Sequence, residues 1–187
     1  MAAVTAPTRY RFNVDEYYRM VDAGILMDDD PVELWEGEII VMSPIGTRHA
    51  KCVTVQNELF VQQSAGRAVV RLGLPVRLST DTEPEPDLAV VRPRADTYGE
   101  SHPTPQEVFL IIEVSDSTLA YDGDIKIPRY AREGFPEAWI WDLRTDRVYV
   151  YTEPSPEGYR SMRVYGRGDV VSPVAFPDVR IPVDAAL

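Results

Sequence analysis

Cysteine occurs once in this chain, at Cys52, which excludes an intrachain disulfide and a thiolate metal cluster. Cys52 reads as a small buried core residue. Positive charge is also in short supply: 19 Lys and Arg stand against 30 Asp and Glu, for a net charge of -11 and a pI near 4.6. Nucleic-acid binders show the opposite balance, so this composition speaks against tight, unaided DNA binding while leaving room for a local basic patch. No apolar run approaches the roughly 18 residues needed to cross a bilayer. Met1 to Arg9 has no positive-then-apolar pattern, so a secretory signal is not expected and a cytoplasmic location is. The chain also lacks a phosphate-binding Gly loop, a dinucleotide fingerprint and a Gly-x-Ser-x-Gly elbow. It shows no internal repeat and no low-complexity tract.

The remaining composition is that of an ordinary globular protein, with 44% hydrophobic and 26% charged residues among 187. That length suits one domain with a real core, expected over residues 10–187 after a frayed or disordered stretch at 1–9. Asn13 to Ala23 reads as a helix with Asn13 as N-cap and Gly24 as its stop. Asp28 to Pro31 is an acidic turn, and Glu33 to Met42 a hairpin broken at Glu36-Gly37. Thr47 to Ala65 carries apolar residues at helical spacing, with Gly66 after its end. Ala68 to Leu78 and Asp87 to Arg92 read as strands, and Arg94 to Gln106 as a polar loop in which Pro103 and Pro105 bar a helix.

Val108 to Val114 is nearly all apolar, as a central strand covered on both faces should be. A helix is expected from near Asp124 to before Gly134, with Pro128 tolerated in its first turn. Ala138 to Asp142 and Arg147 to Tyr151 form a hairpin, and Tyr159–Val164, Val170–Val171 and Ile181–Val183 are further short strands. This order predicts an α/β (α+β) fold, a mixed sheet flanked by helices with extra strands at both ends.

Three positions carry chemistry. Asp87 follows Pro86 at the start of a strand, Glu113 is the one charge in the apolar strand, and Lys126 falls in the helix after it. Mg²⁺ takes hard oxygen ligands, usually one or two carboxylates with water and substrate phosphate. Carboxylates at the ends of adjacent strands, with a lysine to orient the attacking water, suit metal-assisted phosphodiester hydrolysis. Each residue has a plainer reading: Asp87 as a turn cap, Glu113 in a structural ion pair, Lys126 as a solvated helix residue.

The segments Glu33-Leu-Trp-Glu-Gly-Glu38, Met42-Ser-Pro44 with His49, Glu85-Pro-Asp87, Ile112-Glu-Val-Ser115 with Ser117-Thr118, Asp122, Lys126, Tyr130, and Glu137-Ala-Trp-Ile-Trp-Asp142 resemble the Uma-two family. That bacterial family of endonucleases belongs to the PD-(D/E)XK, restriction-endonuclease-like superfamily. The resemblance runs from about Tyr10 to the C-terminus. It implies a restriction-endonuclease-like fold, a DNA substrate, and Mg²⁺, with Mn²⁺ as the alternative, on Asp87 and Glu113. The usual lysine two residues after the glutamate is replaced by Ser115, and the resemblance implies that the lysine has moved to the following helix, which makes Lys126 the match. An acid from the N-terminal part is also implied, with Glu38 the first choice and Glu33 the second. Pro128 and the Ala138-Trp139 pair depart from the family pattern.

His49 reads either as a metal or phosphate contact or as a hydrogen-bonded structural residue, and His102 as a solvent-facing loop residue. Tyr130, four residues after Lys126, shares its helical face and either shapes the cleft or packs. Trp139 and Trp141 read as core or interface. Asp116, Asp122 and Asp124 lack the register of a calcium loop. Arg67, Arg71 and Arg77 are the candidate basic patch. Two further readings stay open: a catalytically silent nucleic-acid- or protein-binding regulatory domain, and a homo-oligomeric module such as a dimer, using the aromatic hairpin Trp139 to Tyr151.

Overall fold

The computed structural model describes residues 8–27 and 29–187. Most of the expected frayed N-terminus and Asp28 of the acidic turn lie outside them. The first helix, α1 (Val14–Asp22), starts at a reciprocal cap in which Asn13 accepts from the Glu16 amide and Glu16 accepts from the Asn13 amide. β1 (Val32–Trp35) and β2 (Glu38–Val41) then pair as a two-residue hairpin. Glu36 and Gly37 both take positive φ, 48° and 74°, as a tight hairpin turn requires. A Cβ at Gly37 would also meet the Arg11 Cβ at 2.7 Å.

α2 (Thr47–Ser64) follows and stops at Ala65, which is left-handed with φ 49°. β3 (Val69–Leu72), β4 (Leu88–Val91), β5 (Val108–Ser115), β6 (Glu137–Asp142), β7 (Arg147–Ser155) and β8 (Gly158–Tyr165) form one six-stranded sheet in that order. Only β5 and β6 run parallel, because only they are joined by a helical crossover. The strand expected over Ala68 to Leu78 is shorter, since Gly73 and Pro75 break the ladder after Leu72. The C-terminus supplies a small second sheet, β9 (Val170–Val171) and β10 (Ile181–Pro182), and a short helix, α5 (Val183–Ala186), where a strand was expected to continue through Val183.

The sheet is covered on both faces. Phe60 and Cys52 of α2 pack with Leu88, Ile112, Trp139, Trp141 and the C-terminal Ile181 and Val183 on one side. Trp35, Ile127, Tyr130 and Phe135 pack with Ala89, Ile111 and Ile140 on the other. Double coverage explains why β5 is apolar along both faces and why a carboxylate there stands out. No helix among the described residues is long and apolar enough to cross a membrane.

The crossover after β5 departs from the expected helix. It begins earlier, as α3 (Leu119–Tyr121), widens into a π-helical turn over Asp122–Lys126, and continues as α4 (Ile127–Arg132). Pro128 is the second residue of α4, in its first turn as expected, although the π-helical turn runs directly into that helix. The widened turn accommodates it: Ile127 N–H reaches back five residues to the Asp122 carbonyl, so the ring and missing N–H of Pro128 fall where the regular ladder is already interrupted.

At the far end of β6, Glu137 is buried and accepts from the Trp139 indole and the Val174 amide, each at 2.7 Å. Burial raises its pKa to about 7 from an ordinary 4.5 despite those two donors. The folded state thus holds a proton that the unfolded chain releases between about pH 4.5 and 7. Its contribution to stability is full below 4.5 and is lost as pH rises through 7. Glu137→Gln should remove that loss, stabilising the fold at pH 8 relative to pH 5 by up to about 3 kcal/mol. Chemical denaturation at the two pH values measures it.

Candidate active site

Asp87 stands one residue before Leu88, whose partner across β4–β5 is Ile112, the neighbour of Glu113. The antiparallel register therefore brings these two carboxylates together at one end of the sheet. Asp87 is held from two sides. One oxygen accepts from His49 Nε2 at 2.7 Å, and the other from the Val114 amide at 2.7 Å. A carboxylate only accepts, so the proton lies on Nε2. This hydrogen bond raises the His49 pKa against the opposing effect of burial.

Glu113 is 3% exposed and accepts from the buried Tyr130 hydroxyl at 2.6 Å. Lys126, 6% exposed, reaches from the π-helical turn to Glu33 Oε2 at 3.2 Å and to Glu113 Oε1 at 3.5 Å. Glu33 also accepts from the Glu85 amide at 3.2 Å. Burial raises the Glu113 pKa, helped by Asp122 and Asp87 and opposed by Lys126. Burial acts to lower that of Lys126, but Glu113, Glu33 and Asp122 together raise it. The two directions pull against each other, because a protonated Glu113 holds the lysine charge less firmly. We take Lys126 as charged, since an uncharged amine would leave the buried Glu33 and Glu113 without a counter-charge.

These groups border a half-open cavity of about 740 Å³ that also takes in Ile40 to Gly46, Tyr121 and Asp122. Glu33, His49, Asp87, Glu113 and Lys126 all line it. Tyr130 and Ser115 stand behind it: Tyr130 bonds Glu113, and Ser115 donates to Asp122 at 2.6 Å.

Glu38 is elsewhere. It lies two residues along the hairpin ladder from the position opposite Glu33, is 41% exposed, and pairs with Arg11 at 3.1 Å and Arg9 at 3.8 Å. Antiparallel pairing turns both acids to the same face, but the pitch of a strand carries Glu38 toward the turn and away from Lys126.

The expected basic patch is also corrected. Arg67 pairs with Asp178, Arg77 with Glu83, and Arg71 is buried against His102 and Tyr98; none lines the cavity. His102 is half-buried rather than solvent-facing, joined to Arg71 at 3.3 Å and to Tyr18 at 3.0 Å.

Two cavity residues escaped the sequence reading as members of the site. Asp122 is buried and accepts from Ser115 and Thr118, both at 2.6 Å. Glu85 is half-buried, and burial with the charges of Glu33 and Glu83 pushes its pKa up to about 7. A clue existed for Glu85 in the Glu85-Pro-Asp87 segment, and for Asp122 in its spacing from Ser115 and Thr118.

The donor set fits a hard divalent cation. Glu33, Glu85, Asp87, Glu113 and Asp122 share one small volume with the single ammonium of Lys126, an excess of negative charge that a cation relieves. Among the described residues no three Asp, Glu, His or Cys side chains converge on one point. Asp87 and Glu113 are the two of these carboxylates that stand opposite each other across β4–β5.

A six-stranded mixed sheet flanked by helices, with carboxylates at the ends of two neighbouring strands, defines a protein of the restriction-endonuclease-like fold. A family profile described as "Putative restriction endonuclease" matches residues 14–184, and the chain belongs to that family, Uma2. A crystal structure from Anabaena variabilis, of "a putative nuclease belonging to DUF820", is similar with a TM-score of 0.71 at 18% identity, covering 94% of this chain and 97% of that one. No curated protein matches the chain.

Proposed function

We propose that the protein hydrolyses phosphodiester bonds of DNA at a divalent cation, Mg²⁺ or Mn²⁺, held by Asp87 and Glu113. The observation that carries this reading is the pairing of those two carboxylates across β4–β5 beside the buried Lys126, on the wall of an open cavity. Membership of a family described as restriction endonucleases supports it. A bound cation supplies Lewis acidity toward the phosphoryl oxygen and lowers the pKa of a coordinated water.

The chain's own residues do the rest. His49 and the Val114 amide fix the orientation of Asp87, and Tyr130 fixes that of Glu113. Lys126 presents an ammonium donor toward the attacking water and the phosphate, and Glu33 keeps that ammonium charged and in place. Glu33 thus takes the part of the N-terminal acid in preference to Glu38.

The test is calorimetric titration of Mg²⁺ and Mn²⁺ into wild type, Asp87→Asn, Glu33→Gln and Glu38→Gln, with cleavage of mixed DNA substrates scored in parallel. Wild type is expected to bind metal and cut. Asp87→Asn should do neither, Glu33→Gln should lose at least tenfold in rate, and Glu38→Gln should stay within about twofold of wild type. A wild type without metal affinity overturns the nuclease reading in favour of a binding domain. Equal losses in the two glutamate variants overturn the choice of Glu33.

A further inference from the structure

β3 carries the one buried arginine among the described residues, Arg71, at 9% exposed. It pairs with Ala89 across β3–β4, and Ala89 lies two residues from Asp87, so Arg71 projects from the same face of the sheet as that acid. The two are nevertheless apart. Gly73, two residues further along the chain, lines the cavity and Arg71 does not.

The neighbouring guanidiniums have carboxylate partners: Arg77 pairs with Glu83, and Arg94 with Asp96 and Glu107. Arg71 has none among the described residues, although the chain holds 30 acids. Burial lowers its pKa, opposed by Tyr98 and by no carboxylate. Of the five N–H donors on a guanidinium one is used, by Nη2 toward His102 Nδ1 at 3.3 Å. Arginine only donates, so Nδ1 accepts and His102 carries its proton on Nε2, which reaches the Tyr18 oxygen at 3.0 Å. Tyr18 in turn donates to Glu83 at 2.6 Å. His102 is therefore neutral and brings no counter-charge.

Arg71 Nε is shut off from solvent without an acceptor, while Nη1 is unbonded and open to it. The Tyr98 ring closes one side, its centroid 5.3 Å from the guanidinium carbon. Thr97 and Tyr98 hold the ring there with φ of 52° and 63°, a left-handed backbone that neither side chain favours. A buried charge without an opposite charge is costly, so this one calls for an anion from outside the chain. A planar fork with donors to spare matches phosphate oxygens, which accept two parallel N–H bonds; a spherical halide offers no such pair.

We propose that Arg71 is the base of a phosphate-binding site beside the cavity, where a bound phosphate group supplies the counter-charge that the chain does not. The group is a free phosphate ion or the terminal phosphate of a nucleic-acid strand, which present the same oxygens. This site stands independently of the cation reading of Asp87 and Glu113.

Calorimetry and thermal melts of the full chain test it, with inorganic phosphate replacing chloride at constant ionic strength. EDTA in the buffer keeps a cation in the cavity from recruiting the phosphate. Wild type is expected to bind phosphate saturably and at least tenfold tighter than chloride, and Arg71→Gln to lose at least tenfold of that affinity. Without phosphate, Arg71→Gln should melt no lower than wild type, because it removes an uncompensated charge rather than one half of an ion pair. Arg71→Lys keeps the charge but not the fork, and should weaken phosphate at least threefold even if the glutamine variant fails to fold. Asp87→Asn should bind phosphate like wild type. Oligonucleotides with and without terminal phosphates identify the source. A tenfold preference for the phosphorylated strand, lost in Arg71→Gln, assigns the nucleic-acid terminus, and equal binding of the two strands assigns the free ion. No saturable phosphate binding, wild-type affinity in the Arg71 variants, or loss of binding in Asp87→Asn overturns the proposal.

Discussion

Lys126→Met is expected to destabilise the fold by about 3 kcal/mol and to slow DNA cleavage by about 10²–10³-fold. The ammonium is buried between Glu33 and Glu113, and its removal leaves two carboxylates facing each other without a counter-charge. The deficit is greatest at high pH and shrinks as pH falls, because burial raises the Glu113 pKa and its protonation relieves the repulsion. Adding Glu33→Gln to the lysine substitution should restore much of the stability and none of the activity. That separation, read by urea denaturation beside a cleavage assay, distinguishes a structural ion pair from a lysine that also serves the reaction. Full activity in a stable double variant would show that the lysine is only a structural partner.

The second large effect is at Glu113 and has the opposite signature. Glu113→Gln should keep or slightly raise stability, since burial disfavours the ionised carboxyl and the amide oxygen can still accept from Tyr130. It should nonetheless abolish divalent-metal binding and lower cleavage by about 10³-fold or more, the scale expected when several kcal/mol of charge stabilisation is withdrawn. Calorimetry with Mg²⁺ and thermal melts with and without the ion read both halves. Retained metal affinity in a well-folded Glu113→Gln protein would move the cation off β5.

These two experiments divide the site into its parts. In the proposed site Lys126 holds charge balance and geometry, whereas Glu113 carries the charge that a cation would require. Tyr130 belongs with the second, because its hydroxyl fixes one oxygen of Glu113 and leaves the other free for a ligand.

Much of this arrangement was legible in the chain because local chemistry dictates it. Asn13 with Glu16 three residues on specifies the start of α1, Glu36-Gly37 specifies the hairpin turn, and the unbroken apolar run of β5 specifies a strand covered on both faces. Glu113 stood out for the same reason, as the one charge in a segment whose other residues are apolar or small. The ordered acids, with Lys126 displaced to the following helix, were readable from family resemblance before any geometry.

What only the tertiary structure decided concerns residues far apart in the chain. Glu33 and Glu38 look alike in sequence, and both point to the same face of the hairpin. Lys126, more than ninety residues later, meets the first and not the second. The π-helical turn that brings Lys126 into the interior reflects a compromise between Pro128 and packing on the sheet, which no local propensity states. Arg67, Arg71 and Arg77 are close in sequence, yet each is drawn to a different partner, so proximity along the chain gave no basic patch. Sequence determined most of the elements and singled out Asp87 and Glu113 as candidates, because these follow from backbone preference and from the cost of burying charge. Their grouping into a site was decided by sheet register and by which distant side chain could reach a buried partner.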